Sequence, residues 1–186
     1  MEQLFFAKLN KIIIYYLTYK NMANGPRKDF LSWNDTFMLM AQLIAQRSKE
    51  PSTQTGAVVV DERNVVLGMG YNGFPRGIEA DELPWGKEQD SWVYTKYPYT
   101  VHAERNAIYN SNKSVEGGKV YCTLFPCNEC AKTIIQNGIK ELIYMDDKYI
   151  NEEYSVAAKK LFDLAGVRYK KYVPSKKMLI SDNDEK

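Results

Sequence analysis

The chain of 186 residues is long enough for one domain of ordinary size with a continuous core. Its hydrophobic fraction of 45% and charged fraction of 26% fit a globular protein, and a formal net charge of +2 is too small for the strongly basic surface of a nucleic-acid-binding groove. Three cysteines argue against a disulfide framework and for a reducing compartment, so we expect a cytoplasmic protein.

The N-terminal stretch, residues 1–29, is predicted to be an extension of the main domain. Its longest apolar run, residues 12–17, is far shorter than the roughly 20 residues that span a bilayer. It has neither a basic n-region nor a small-residue cleavage site, so we expect no signal peptide and no membrane anchor. We expect it to be partly helical and to pack on the domain or on a neighbouring subunit, with Met22 as an alternative start. Residues 30–175 then form the domain, and residues 176–186 form a polar tail.

Hydrophobic periodicity predicts helices alternating with strands. In chain order the predicted elements are a helix at 32–50, strands at 55–61 and 64–73, a long loop at 73–101, a helix at 102–112, a strand at 118–125, a helix at 127–137, a strand at 140–146, a helix at 151–165 and a strand at 167–173. Asn34 or Asp35 is expected to cap the first helix, and Gly138 and Gly166 to end the last two. This order predicts an α/β domain with helices on both faces of a mostly parallel or mixed sheet.

Two cysteines, Cys127 and Cys130, lie three residues apart at the start of a predicted helix, where such residues share a face. The free N–H groups and the positive end of the helix dipole favour thiolates there. A lone C-x-x-C also fits a redox dithiol, half of a structural zinc knuckle, or a chance occurrence. Cys122, on a strand, is expected to be a buried free thiol, which leaves His102 as the third candidate ligand. Three protein ligands leave one position of a zinc ion open, as in catalytic sites.

His102 is the only histidine in the chain, and Glu104 follows two residues later. Taken singly, they would be a structural histidine and a solvated helix charge. Residues i and i+2 of a helix point about 200° apart, so both reach one site only if His102 lies at the loop-to-helix junction. The pattern H-x-E followed by P-C-x-x-C, here residues 102–104 and 126–130, is the signature of zinc-dependent nucleobase deaminases.

With these motifs the sequence resembles the cytidine deaminase superfamily and, within it, the deoxycytidylate (dCMP) deaminases. The similar stretches run in family order from about residue 30 to residue 173: "RSKEPSTQTGAVVV", "GYNGFPRG", "TKYPYTVHAERNAI", "TLFPCNECAKTIIQNGIKELIY" and "DKY". The resemblance implies a three-layer α/β/α fold with a mixed five-stranded sheet. It also implies one zinc ion per subunit on His102, Cys127 and Cys130; there is no spare histidine for the second, structural zinc of some members.

The reaction implied by this resemblance is hydrolytic deamination of dCMP to dUMP and ammonia, which would supply dUMP for thymidylate synthesis. In such enzymes zinc lowers the pKa of water, and a carboxylate, here Glu104, moves protons to N3 of the base and to the departing ammonia. The resemblance also places the backbone of Ala103 and the carbonyls before Pro126 at the edge of the pyrimidine.

The 5′-phosphate of such a substrate needs cationic and hydroxyl donors. The candidates are Arg47, Ser48, Lys49 and Tyr149, together with Ser52 and Lys148. The alternative for Arg47 and Lys49 is a solvated helix end, where cations are favoured in any case.

Family members are usually hexamers in which dCTP activates and dTTP inhibits through a separate site. Gly70, Tyr71, Asn72 and Gly73 are candidates for that site or its interface, and a plain turn is the alternative. The competing functions are a dCTP-acting or bifunctional deaminase, a tRNA adenosine deaminase, and a catalytically silent zinc-binding regulatory module. The low net charge disfavours a tRNA adenosine deaminase, and the intact Glu104 disfavours a catalytically silent regulatory module.

Overall fold

The computed structural model describes residues 11–16 and 26–181 of the chain. Residues 11–16 are helical, in keeping with a partly helical extension, whereas Met22 and residues 182–186 of the tail lie outside the described residues. The chain divides into two compact units between Phe30 and Leu31. Among the described residues, no helix combines the length and the apolar character needed to cross a bilayer.

The second unit consists of alternating helices and strands. In chain order they are α1 (Trp33–Ala45), β1 (Gly56–Val60), β2 (Val66–Tyr71), a single 3-10 turn (Trp92–Tyr94), α2 (Ala103–Tyr109), β3 (Lys119–Leu124), α3 (Asn128–Gln136), β4 (Glu141–Asp146), α4 (Glu153–Ala165) and β5 (Arg168–Lys171). Every predicted helix and strand is present, and the ends differ from the prediction by a few residues.

The five strands form one mixed sheet in the order β2-β1-β3-β4-β5. β1 pairs antiparallel with both β2 and β3, while the β3–β4 and β4–β5 pairs are parallel. β1 reads Gly-Ala-Val-Val-Val and is buried along its whole length, as a β-branched run in the middle of a covered sheet should be. The predicted mixed five-stranded sheet is confirmed.

Helices cover both faces of this sheet. One face packs against α1 through a cluster that includes Phe37, Met38 and Tyr121. The other face packs against α2, α3 and α4 in a larger cluster that includes Cys122 and Phe162. Because successive strand residues point to opposite faces, Tyr121 and Cys122 of β3 fall in different clusters. The three-layer α/β/α fold is therefore confirmed.

The start and end of α1 differ from the prediction. Ser32, not Asn34 or Asp35, is the N-cap, because its hydroxyl accepts a hydrogen bond from the Asp35 backbone N–H at 3.0 Å. The helix ends at Ala45 instead of residue 50, and Ser48 beyond it uses its hydroxyl to bind the backbone and side chain of Asn72. The same hydroxyl accepts a hydrogen bond from the Glu50 N–H at 3.2 Å, and a side chain that binds a nearby backbone N–H competes with continuation of the helix.

The predicted loop at 73–101 is closed at its base. Gly73 and Val101 exchange two backbone hydrogen bonds, of 3.1 and 2.8 Å, in an isolated antiparallel bridge. His102 follows Val101 directly, so this bridge fixes the position of the chain just before α2 begins. The long loop thus begins and ends beside the predicted ligand.

Candidate metal centre and active site

His102 and the two cysteines of the C-x-x-C motif meet at the starts of two helices. His102 is the N-cap of α2, with an extended backbone (φ −72°, ψ 157°), and Cys127 is the N-cap of α3, also extended (φ −75°, ψ 172°). Neither side chain makes a capping hydrogen bond, so both are available to a ligand. His102 thus occupies the loop-to-helix junction that the sequence requires if it is to share a site with Glu104.

The three ligand atoms are spaced as one small ion requires. His102 Nδ1 lies 3.4 Å from both Cys127 Sγ and Cys130 Sγ, and all three atoms lie within 4.8 Å of one another. Donors bound at about 2.0–2.3 Å to one tetrahedral zinc ion lie about 3.3–3.8 Å apart. The spacing and the donor set of two sulfurs and one imidazole nitrogen therefore fit zinc, and three ligands leave one position for a further ligand.

The helix starts are held in place by backbone and amide hydrogen bonds. The Phe125 N–H donates to the Asp146 carbonyl at 2.8 Å, which extends the β3–β4 pairing almost to Cys127. At α2, the Asn106 side-chain amide donates to the Tyr71 carbonyl at 2.7 Å and so fixes this helix to the end of β2. The ligands are consequently mounted on elements anchored to the sheet.

Two glycines of β2 let α2 approach closely. A Cβ atom on Gly70 would lie 2.3 Å from the Ala107 backbone nitrogen and 2.6 Å from the Ala103 carbonyl oxygen. One on Gly68 would lie 2.3 Å from the Ala107 carbonyl oxygen. Gly70, which the sequence suggested for an effector site, has a packing role beneath the helix that carries Glu104.

The two thiols of the C-x-x-C motif have pKa values shifted in opposite directions. A hydrogen bond with Cys130, supported by His102, lowers the pKa of Cys127 to about 4, whereas its bond to Cys127 and its burial raise the pKa of Cys130 well above its ordinary value. The bond to Cys127 also raises the pKa of His102. Cys127 is therefore a thiolate at neutral pH, which is the form that binds metal.

Glu104 lies beside this cluster. Its carboxylate is buried, at 6% exposed, and its Oε2 accepts a hydrogen bond from Cys130 Sγ at 3.4 Å. Burial raises the pKa of the carboxyl, since a low-dielectric surrounding disfavours the charged form. A carboxyl of raised pKa is suited to take up and release a proton near neutral pH.

A cavity of about 550 Å³ opens onto Glu104, His102 and Cys127. Its other lining residues are Glu50, Thr53, Thr55, Asn72, Lys87, Lys96, Tyr97, Thr100, Leu124, Phe125, Asn128, Tyr149 and Tyr154. Its size fits a small ligand. Its lining combines aromatic rings with many polar and charged side chains, which suits a polar ligand.

Of the predicted phosphate ligands, Tyr149 lines the cavity, whereas Arg47, Ser48 and Lys49 are not among its lining residues. Lys148 Nζ sits 4.7 Å above the ring of Tyr149 and donates to the Thr53 hydroxyl at 3.4 Å. Hydrogen bonds from Thr53 and Lys148 lower the pKa of Tyr149. Ala103 is buried, at 1% exposed, directly after His102.

Asn72, predicted for the effector site, also lines this cavity. Its side chain accepts hydrogen bonds from the Thr55 N–H and the Ser48 hydroxyl, both at 2.8 Å, and donates to the Thr53 carbonyl at 2.9 Å. Asn72 thereby shapes the segment that carries Thr53.

Several lining residues were not predicted from the sequence. Glu50 and Lys96 are 46 positions apart and form an ion pair in the cavity wall. No local pattern marks them, because their partnership depends on how two loops fold. Asn128 follows Cys127 directly, and its position in the C-x-x-C motif was a usable signal.

The family comparison agrees with this geometry. Residues 31–146 match the model of the cytidine and deoxycytidylate deaminase zinc-binding region. This chain belongs to that family. It is accordingly a zinc-dependent deaminase, which is a hydrolase, and the expected zinc cofactor is confirmed.

Relatives of this deaminase extend over most of its length. It is 51% identical to a deoxycytidylate deaminase of Mus musculus and 49% identical to one of Homo sapiens, in each case over 85% of this chain and 89% of the relative. A crystal structure of dCMP deaminase from the cyanophage S-TIM5, in complex with dCMP and dUMP, is 28% identical and superimposes with a TM-score of 0.60 over 74% of this chain and 95% of that one. The RibD protein of Acinetobacter baumannii, at 19% identity and a TM-score of 0.53 over 74% of this chain and 34% of that one, shares the fold.

Proposed function

We propose that this deaminase converts dCMP to dUMP and ammonia by hydrolysis. The observation that carries the proposal is the buried Glu104, which lies beside the His102, Cys127 and Cys130 cluster and faces a cavity of about 550 Å³. The deoxycytidylate deaminases among its relatives, and the bound dCMP and dUMP in the cyanophage enzyme, support this nucleotide as the substrate.

In the proposed site, His102, Cys127 and Cys130 hold the zinc ion. When bound, the ion supplies Lewis acidity that makes water a nucleophile near neutral pH, aimed at C4 of the cytosine ring. Glu104 accepts one proton from the attacking water and delivers it to N3, then transfers the second proton of that water to the amino group, which leaves as ammonia while C4 becomes a carbonyl. Its burial supports this role, because a carboxyl of raised pKa exchanges protons at moderate pH.

The base and the phosphate are proposed to bind at opposite ends of the cavity. The buried backbone of Ala103 and the carbonyls before Pro126 hold the pyrimidine edge. Lys148, Tyr149 and Thr53 receive the 5′-phosphate, supported by the contacts among these three side chains and by Lys87 in the lining. Arg47, Ser48 and Lys49 remain predicted phosphate ligands with weaker support. Like Lys148 they are not among the lining residues, but Lys148 is in contact with the lining residues Thr53 and Tyr149.

Regulation by dCTP as activator and dTTP as inhibitor, in a homohexamer, is part of the proposal. Gly70, Tyr71, Asn72 and Gly73 are the proposed effector residues. In support, Asn72 lies in the cavity wall and holds the backbone around Thr53 and Thr55, so a ligand that displaces the end of β2 would alter the substrate site. A cytoplasmic location is likewise proposed, on the support of three free cysteines, two of which belong to the metal cluster.

A substrate panel tests the proposal. Ammonia release is measured with the zinc-loaded protein on dCMP, dCTP, deoxycytidine and cytidine, each with and without dCTP or dTTP as effector. The expected result is turnover selective for dCMP. Preference for dCTP would assign the chain to the dCTP-acting deaminases, and no turnover with zinc bound would favour a silent regulatory module.

A further inference from the structure

A buried ion pair stands in the wall of the cavity. Lys96 Nζ lies 2.5 Å from Glu50 Oε2, and the two side chains are 10% and 1% exposed. Both residues line the same cavity as Glu104. Desolvation offsets much of the attraction in a buried pair, so such a pair is weak evidence for stability. Its position beside the substrate cavity points to another role.

Glu50 organises the segment that follows α1. Its second carboxylate oxygen accepts a hydrogen bond from the Ser52 N–H at 2.8 Å, and its backbone carbonyl accepts one from the Gln54 side chain. Its own N–H donates to the Ser48 hydroxyl at 3.2 Å. These bonds shape residues 48–54, which include the lining residue Thr53.

Lys96 organises the opposite segment. Its backbone N–H donates to the Gly86 carbonyl at 2.9 Å, and its carbonyl accepts bonds from both the N–H and the hydroxyl of Thr100, each at 3.0 Å. Thr100 lines the cavity and lies two residues before His102. Lys96 therefore sets the course of the chain from Gly86 to the start of α2.

We infer that the Glu50–Lys96 pair is a positioning device for the nucleotide, which fixes the cavity walls at 48–54 and 86–100 at the separation that substrate binding requires. The inference rests on the proposed function and deepens it. Within the pair the two charges cancel, so the attraction of an anionic substrate is left to Lys87 and Lys148. The pair acts on binding, and proton transfer stays with Glu104.

A double-mutant cycle tests this role. Lys96→Met, Glu50→Gln and the double variant are compared with the parent for KM and kcat on dCMP, for affinity toward dUMP by calorimetry, and for zinc content. Each single variant is expected to raise KM and weaken dUMP binding about tenfold or more, because it leaves a buried charge unpaired and releases the two walls. We expect kcat within about threefold of the parent and one zinc per chain.

The double variant is expected to bind better than Lys96→Met, since neither charge remains unpaired. Lys170→Met is the matched control: it removes an ion pair of 3.0 Å with Glu141, outside the cavity lining, and should leave KM unchanged. Should Lys96→Met fail to fold, the variants Lys96→Arg and Glu50→Asp replace it. They keep the charges and change the geometry of the pair, so each is also expected to raise KM.

Unchanged dUMP affinity and KM in the folded variants would overturn the inference, even if thermal stability fell. That result differs from failure of the proposed function, in which the parent itself would neither turn over dCMP nor bind dUMP.

Discussion

The thiol of Cys130 donates a hydrogen bond to the carboxylate of Glu104 at 3.4 Å, although 26 residues separate them in the chain. This contact joins the H-x-E motif at the start of α2 to the C-x-x-C motif at the start of α3. Glu104 thus lies close enough to act on a ligand at the cluster, and the cluster already contains three other donor residues. The arrangement frees Glu104 for proton transfer.

The three cysteines should differ sharply in their effect on zinc. Cys127→Ser and Cys130→Ser each remove a ligand, so the purified proteins should contain well under one zinc per chain and melt at lower temperature. Cys122→Ala is the matched control, because burial raises the pKa of this thiol well above its ordinary value and keeps it protonated. It should keep one zinc per chain by metal analysis. Loss of zinc from Cys122→Ala would refute this ligand assignment.

Gly70→Ala should destabilise the fold beneath the active site. The added Cβ would lie 2.3 Å from the Ala107 backbone nitrogen, so β2 or α2 must shift, and overpacking of this kind typically lowers the free energy of unfolding by about 1–3 kcal/mol. Gly73→Ala is the control, since its Cβ would meet only the Tyr71 ring at 3.7 Å. Thermal unfolding of both variants measures the difference between their melting temperatures. Equal melting temperatures would show that the close approach of α2 is not required.

Asp35 should stabilise the protein above about pH 4 and lose this effect as the pH falls toward 2. Hydrogen bonds from the Ser175 N–H, the Ser32 hydroxyl and the Tyr172 hydroxyl lower its pKa from 3.8 to about 2. A lowered folded-state pKa means that the stabilisation is present above the unfolded value and disappears as pH falls through the folded value. Asp35→Asn should therefore reduce stability by about 2 kcal/mol at neutral pH, the value of hydrogen bonds to a charged group.

The check for Asp35 is the difference in melting temperature between parent and variant as a function of pH. Because the comparison is between two proteins with the same other carboxylates, their titration largely cancels. We expect a constant difference above pH 4 that shrinks between pH 4 and 2. A difference that persists unchanged at pH 2 would mean that the charge of Asp35 is not the source of the stabilisation.

Lys148→Met should weaken the binding of dCMP and leave deoxycytidine unaffected. A charge-assisted hydrogen bond to phosphate is lost only for the nucleotide, so KM for dCMP should rise about tenfold or more. Lys160→Met, an exposed lysine of α4, serves as the control. Steady-state kinetics on both substrates gives the ratio of the variant's KM to the parent's KM for dCMP and for deoxycytidine. A larger effect from Lys49→Met than from Lys148→Met would place the phosphate at the end of α1 instead.

The sequence predicted the parts of the site that local pattern encodes. His102, Cys127 and Cys130 are recognisable because metal ligation requires particular side chains at particular spacings. Cys122 is a buried free thiol, as its position on a strand predicted. The end of α1 was less predictable. The prediction carried this helix to residue 50, although residues 46–50 are all polar. In the structure the helix ends at Ala45, and Ser48 bonds to Asn72, which follows β2.

The cavity wall could not be predicted for a similar reason. The pairing of Glu50 with Lys96 depends on two loops that meet only in the folded chain, and both residues look like solvated charges in the sequence. Asn72 could be singled out from its glycine-rich setting, but its place in the substrate cavity follows from the path of the segment around Thr53. Long-range contacts of this kind leave no periodic signal.

The most direct test of the account is Glu104→Gln, with Glu153→Gln at the first turn of α4 as the control. Both proteins are assayed for zinc content and for ammonia release from dCMP. We expect one zinc per chain in both and parental turnover in Glu153→Gln. In Glu104→Gln we expect kcat to fall about 10²–10⁴-fold, since an amide cannot accept and release the proton. Turnover of Glu104→Gln within tenfold of the parent, with zinc bound, would contradict the role of Glu104 as the proton shuttle.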